Sequence, residues 1–170
     1  QLEFVPLLLL ILIFHIPGIK VVAPGTANDA KGLLKSSILD NNPVIFLEPK
    51  ALYGKKEEVN LDPDFYIPLG KGEIKREGAD VTIISYGRML ERVLKAAEEV
   101  AAEGISVEVL DPRTLIPLDK ELIIESVKKT GKVILVNDAY KKGGFIGEIE
   151  SFITESEAFA YLKAPLIRIA

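Results

Sequence analysis

The chain has 170 residues, 48% of them hydrophobic, which is enough for one packed domain or one domain with part of another. Its 21 Lys+Arg against 25 Asp+Glu leave a net charge of -4, without the basic stripe that nucleic-acid binding requires, so nucleic acid is not an expected partner. The absence of cysteine excludes disulfides and thiolate metal sites, and a lone histidine leaves little for zinc, so any metal would be a hard ion held by oxygens. The composition fits a cytoplasmic protein.

The most hydrophobic stretch runs from Phe4 through Phe14. It is shorter than the roughly 20 apolar residues of a membrane-spanning helix and lacks the basic start and cleavage site of a signal peptide. A buried strand or helix, altered or foreign sequence, and membrane attachment all remain open for it; no membrane partner is expected.

From Ile19 the pattern becomes regular. Ile19 to Ala23 reads as a short strand broken by Pro24-Gly25, and a helix opens at Thr26 or Asn28 and runs to about Asp40. Its Ala30, Leu33, Leu34 and Ile38 fall at helical spacing, and Asp40-Asn41-Asn42-Pro43 stops it. Val44 to Leu47 follows as a buried strand, completing one strand-helix-strand unit. Between Glu48 and Ala79 the periodicity fades, which predicts a connection between domains pinned by aromatics such as Tyr53, Phe65 and Tyr66, with the boundary near Lys71 to Asp80.

A second alternating series starts at Asp80. It predicts a strand over Val81–Ser85, a helix from about Met89 to Glu103, and a strand over Ser106–Leu110. After a loop from Asp111 to Leu118, Asp119 is placed to cap a helix from about Lys120 to Lys129, and Lys132–Val136 is the next strand. A last helix is expected over Gly144 to about Ser156, with Phe159 to Leu162 either continuing it or starting a short second one. An apolar run from Pro165 to Ile169 reads as a terminal strand, a placement that suggests truncation. This alternation predicts an α/β fold built on an open parallel sheet with helices on both faces.

In such sheets ligands gather in the loops beyond the carboxyl ends of the strands. Ser85-Tyr86-Gly87-Arg88 offers a hydroxyl, a ring and a cation at a helix start, or simply a glycine turn capped by Ser85. In Asp111-Pro112-Arg113-Thr114-Leu115-Ile116-Pro117-Leu118-Asp119, Arg113 suits a carboxylate clamp, a pair with Asp111, or a contact across a subunit interface. Asn137 to Phe145 is a glycine loop whose Lys141 and Lys142 suit an anion or a partner, or a solvated connection. Ser37, Asp40 and Asn42 lie in a turn where oxygens suit a hard cation, although helix termination explains them equally. His15, beside Pro17-Gly18, is a candidate acid or base, or a hydrogen-bonding core or interface residue.

Taken together, His15-Ile16-Pro17-Gly18, Asp29-Ala30-Lys31-Gly32-Leu33-Leu34, Asn42-Pro43-Val44-Ile45-Phe46-Leu47-Glu48-Pro49, Ile67-Pro68-Leu69-Gly70-Lys71, the Asp111 to Asp119 stretch and Gly143-Gly144-Phe145 resemble the second half of a β subunit. The family is the thiamine-diphosphate-dependent 2-oxo acid dehydrogenases: pyruvate, branched-chain 2-oxo acid and acetoin. The resemblance covers about Phe14 to Ala170 and implies a transketolase-like architecture. Residues 1–50 would finish a pyrimidine-binding domain, 51–79 would connect, and 80–170 would form the transketolase-like C-terminal domain.

The resemblance further implies an assembly with an alpha subunit, a second beta subunit and a lipoyl acyltransferase component. That assembly decarboxylates a 2-oxo acid and passes the acyl group to lipoyl-lysine. In it the alpha subunit holds the diphosphate and magnesium of thiamine diphosphate, and the beta subunit offers a glutamate to the aminopyrimidine ring. That glutamate and an active-site histidine of the family fall upstream of the matched region, so no cofactor-binding residue is expected here and the isolated chain is expected to be inactive. At Asn137-Asp138-Ala139 the family usually has His-Glu-Ala, and Gln1 to Ile13 do not resemble it. His15 matches the family's histidine at its motif, and Ser37, Asp40 and Asn42 match a turn that binds potassium in some members. A non-catalytic interaction module derived from such a subunit is the alternative reading; a single-chain transketolase or deoxyxylulose-phosphate synthase matches the motifs less closely.

Overall fold

The computed structural model describes residues 13–170, so most of the apolar run at the start lies outside it. Among the described residues no helix is long and apolar enough to cross a membrane.

The first unit is β1 (Lys20–Val22), α1 (Ala27–Leu39) and β2 (Val44–Phe46), with β2 parallel to β1. Thr26 caps α1 by accepting a hydrogen bond from the Asp29 N–H at 3.1 Å, which satisfies a donor the helix leaves free. The inward face of α1 differs from the apolar stripe. Leu33 is buried, but Leu34 and Ile38 are 42% and 73% exposed, and Asp29 and Gly32 turn inward instead. Gly32 is required by a close approach: a Cβ there would stand 2.6 Å from Ile67 and 2.9 Å from Phe65, so the connecting segment lies directly on the helix.

The second unit is a sheet of five strands ordered β3 (Glu73–Arg76), β5 (Val107–Asp111), β4 (Val81–Ser85), β7 (Val133–Val136), β8 (Ile167–Ile169). Four of them run parallel, as expected of an open parallel sheet, and β3, which the alternation does not announce, lies antiparallel to β5 at the edge. The reason is visible in Glu73-Ile74-Lys75-Arg76: an edge strand half-buried throughout carries one apolar side chain and three charges, which hides its period.

Helices cover both faces. On one side α2 (Met89–Ala101) places Leu90, Val93 and Ala97 against Val107, Val109 and Val136. On the other, α3 (Lys120–Thr130) and α4 (Ile146–Glu155) bring Ile123, Val127, Ile146, Ile149 and Ile153 onto Ile84, Leu110 and Leu135. Burying each of these Val, Leu and Ile side chains contributes about 1.5–3 kcal/mol relative to exposure. Asp119 caps α3 through the Leu122 N–H, and Gly131, at φ 73°, closes it with an N–H to the Val127 carbonyl. Phe159 belongs to a separate short 3-10 helix, Glu157–Tyr161.

The stretch read as one loop from Asp111 to Leu118 contains β6 (Thr114–Ile116). It pairs antiparallel with β1, so the chain leaves the large sheet at β5 and immediately joins the small one, giving the order β2-β1-β6. The turn that permits this puts Arg113 at φ 56°, the left-handed region that a side chain seldom enters. The Arg113 carbonyl then accepts from the Ala23 N–H at 2.8 Å.

Candidate functional site

Where β6 crosses from one sheet to the other, five charged side chains meet: Asp29 of α1, Glu73 and Lys75 of β3, Asp111 at the end of β5, and Arg113. The Lys75 ammonium bonds Asp29 at 2.6 Å and also Glu73. Arg113 places its Nη1 3.4 Å from Asp29 and its Nη2 3.1 Å from Glu73. Asp29 is 2% exposed and Asp111 fully buried, so these pairs act in a medium where an uncompensated charge is costly. Of the readings open for Arg113, the chain itself displays an intramolecular carboxylate pairing, with Asp29 and Glu73 rather than with Asp111, whose side chain is fully buried.

Asp111 differs from its neighbours. Its Oδ1 accepts from the Arg113 N–H at 2.9 Å, while its buried Oδ2 has no partner. Burial, helped by the negative Asp29, pushes its carboxyl up to about 7, although the Arg113 N–H and the two cations pull the other way.

A cavity of about 720 Å³ opens beyond the carboxyl ends of β4 and β7. It is walled by Phe14, Leu47, Tyr86, Leu115 and Phe145 and rimmed by Arg88, Lys141 and Lys142. The walls are largely apolar rings: Phe14 lies tilted at 45° against Phe145 with ring centroids 4.6 Å apart, and Tyr86 meets Phe145 edge-on at 6.5 Å. The buried Asn137 donates its Nδ2 to the Tyr86 hydroxyl at 3.0 Å. Burial raises the Tyr86 phenol to about 12, so it stays a neutral donor. Arg88 is ion-paired with Asp138, while Lys141 and Lys142 are exposed. Ser85 does not cap α2: Arg88 holds that position, and the buried Ser85 hydroxyl has no hydrogen-bond partner.

The other expected site residues are not brought into this constellation. His15 is exposed and has no polar partner among the described residues. Ser37 donates to the Leu33 carbonyl at 2.7 Å, and Asp40 is held by Lys20 and by the Asn42 N–H and side chain at 2.9 and 3.0 Å. An ammonium already holds the one carboxylate of this turn, so its residues do not fit potassium without displacing Lys20. Among the described residues lining the cavity the acidic side chain is Asp138, and it is bound to Arg88.

A doubly faced α/β sheet with one antiparallel edge, joined through a buried ionic cluster to the end of a second α/β sheet, defines a transketolase-like chain. The sequence places it further. The chain belongs to the family of the transketolase C-terminal domain, whose model matches residues 70–170; the model of the transketolase pyrimidine binding domain matches residues 6–56. It is 49% identical over 92% of its length to "Pyruvate dehydrogenase E1 component subunit beta" of Rhizobium meliloti, covering 34% of that protein. It is 48% identical over 91% of its length to "2-oxoisovalerate dehydrogenase subunit beta" of Bacillus subtilis, covering 47% of that protein. The chain thus spans between about a third and a half of these relatives. Among solved structures it is similar to "Split gene transketolase, inactive beta4 tetramer", with a TM-score of 0.76, 27% identity, and coverage of 94% of this chain and 50% of that one. A transketolase of Pichia stipitis shares the fold at a TM-score of 0.55 and 18% identity, over 79% of this chain and 20% of that one.

Proposed function

We propose that this chain is the carboxy-terminal portion of the β subunit of a 2-oxo acid dehydrogenase, serving subunit assembly and docking and taking part in catalysis only within a complete enzyme. One observation carries the reading: the chain is 44–49% identical, over nearly its whole length, to β subunits of both the pyruvate and the 2-oxoisovalerate enzymes. In that assembly an alpha subunit and a second beta subunit are the direct partners, with a lipoyl acyltransferase component as the further one. Thiamine diphosphate and its magnesium belong to residues outside the described part, and a cytoplasmic address belongs to the same proposal. The exposed Lys141 and Lys142 and the open apolar cavity offer a contact surface of the right character: rings in the centre and cations on the rim.

A second reading, a module that assembles without catalysing, is supported by the likeness to a protein whose solved form is described as an inactive beta4 tetramer. Grafting residues 13–170 into a complete pyruvate dehydrogenase β subunit, which supplies the upstream segment, and mixing the hybrid with that enzyme's alpha subunit separates the two. Co-elution with thiamine-diphosphate-dependent decarboxylation supports the enzymatic reading, co-elution without thiamine diphosphate binding supports the module, and failure to co-elute overturns both.

A further inference from the structure

We propose that Asp111 is a proton-linked latch: the first strand-helix unit closes fully onto the large sheet when the Asp111 carboxyl carries its proton, and the junction loosens when that proton leaves. The geometry rests on charge balance. Three carboxylates, Asp29, Glu73 and Asp111, face two cations, Lys75 and Arg113, and both cations are bonded to Asp29 and Glu73. Asp111 is left with a backbone N–H on one oxygen and nothing on the other. What surrounds the bare oxygen is packed chain: a Cβ built on Gly25 would stand 3.2 Å from Oδ2, 3.3 Å from the Gly87 carbonyl and 2.6 Å from Leu90.

The remaining charged groups on the elements packed around it are engaged elsewhere. On β3, Arg76 donates to the Val107 carbonyl. On β5, Glu108 is bonded by Ser126 and Lys129. At the start of α3, Asp119 accepts from the Leu122 and Gly72 N–H groups, and Lys71 lies 4.0 and 3.9 Å from Asp119 and Glu121. At the start of α2, Arg88 pairs with Asp138 and Glu91 with Lys55. A proton on Oδ2 therefore brings the cluster to neutrality, whereas its loss leaves a buried, uncompensated charge at the junction of the two sheets, which β6, a shared apolar core and the Lys55–Glu91 ion pair also span.

The sign follows from linkage. In the closed form the carboxyl titrates at about 7, against its ordinary value of 3.8, so the protonated form is favoured by closure. The stabilisation is complete below the ordinary value, declines as pH rises between the two, and is gone above the upper one. Each unit of pH within that window raises the equilibrium for opening by about tenfold.

Amide hydrogen exchange on the full chain, corrected for the intrinsic rate, reads this directly. Amides of β1 and α1 are expected to open about tenfold more readily per pH unit from 5 to 7 and to level off above, while those of β4 and β7 hold steady. In Asp111→Asn, a neutral stand-in for the protonated acid, the slope is expected to vanish. A flat profile in the wild-type chain, or an unchanged slope in the variant, overturns the latch. Should the variant not fold, carboxyl-carbon NMR of the wild-type chain decides: a midpoint for Asp111 near neutrality, moved upward by Lys75→Gln, supports it, and a midpoint near 4 overturns it.

Discussion

Replacing Gly32 by alanine sets two opposed effects against each other inside α1. Alanine is about 0.8–1 kcal/mol more favourable than glycine in a helix interior, so propensity alone predicts a more stable protein. The new methyl, however, would lie 2.6 Å from Ile67 Cγ1 and 2.9 Å from Phe65 Cε1, which no adjustment of a flexible tip absorbs when two neighbours press at once. The connecting segment must lift. Ile67, now 6% exposed, then loses much of the roughly 1.5–3 kcal/mol that its burial supplies. The net expectation is a loss of about 1–2 kcal/mol, or a melting temperature lower by about 2–8 °C at this chain length. Thermal unfolding followed by circular dichroism measures it, and a background carrying both Phe65→Ala and Ile67→Ala supplies the control, since alanine at 32 should then stabilise. A higher melting temperature for Gly32→Ala alone would refute the claim that residues 65–67 lie on this helix.

Asp119→Ala removes both the cap of α3 and the acceptor for the Gly72 N–H at 3.0 Å, so a loss of about 1–3 kcal/mol in urea unfolding is expected. Thr82→Val breaks a buried chain in which the Thr82 hydroxyl lies 2.8 Å from those of Ser126 and Thr130; about 1–3 kcal/mol should again be lost, and Thr82→Ser should keep most of it. The half-buried Asp40, whose carboxyl Lys20 and Asn42 hold down to about 2, acts in the opposite pH direction from Asp111. Its contribution is present above the ordinary 3.8 and fades as pH falls through 2, so Asp40→Asn should flatten the acid limb of stability between about 4 and 2.

The helices and parallel strands were legible because each repeats its apolar residues at its own period: α2 announces itself through Leu90, Val93 and Ala97, and β7 through an apolar run. β3 and β6 were not, for different reasons. β3 carries three charges in four residues, and β6 is three residues long inside a stretch punctuated by prolines. The outward Leu34 and Ile38 mislead for a third reason: helical spacing reports an apolar face without saying what covers it. At the site, Asp111 and Arg113 stood out by their motif, but Asp29 and Lys75, 46 positions apart, meet through the packing of the two units against each other. No local pattern carries that contact. The turn at Ser37, Asp40 and Asn42 likewise draws on a distant residue, since Lys20 bonds Asp40 from 20 positions upstream.

The most direct test of the account is a graft. Residues 13–170 replace the matching region of the Bacillus subtilis pyruvate dehydrogenase β subunit, of which the chain covers 47% at 48% identity, and the hybrid is mixed with that enzyme's alpha subunit. The account predicts a hybrid that assembles and decarboxylates pyruvate when thiamine diphosphate is added. A hybrid that folds but neither pairs with the alpha subunit nor binds the cofactor would contradict it.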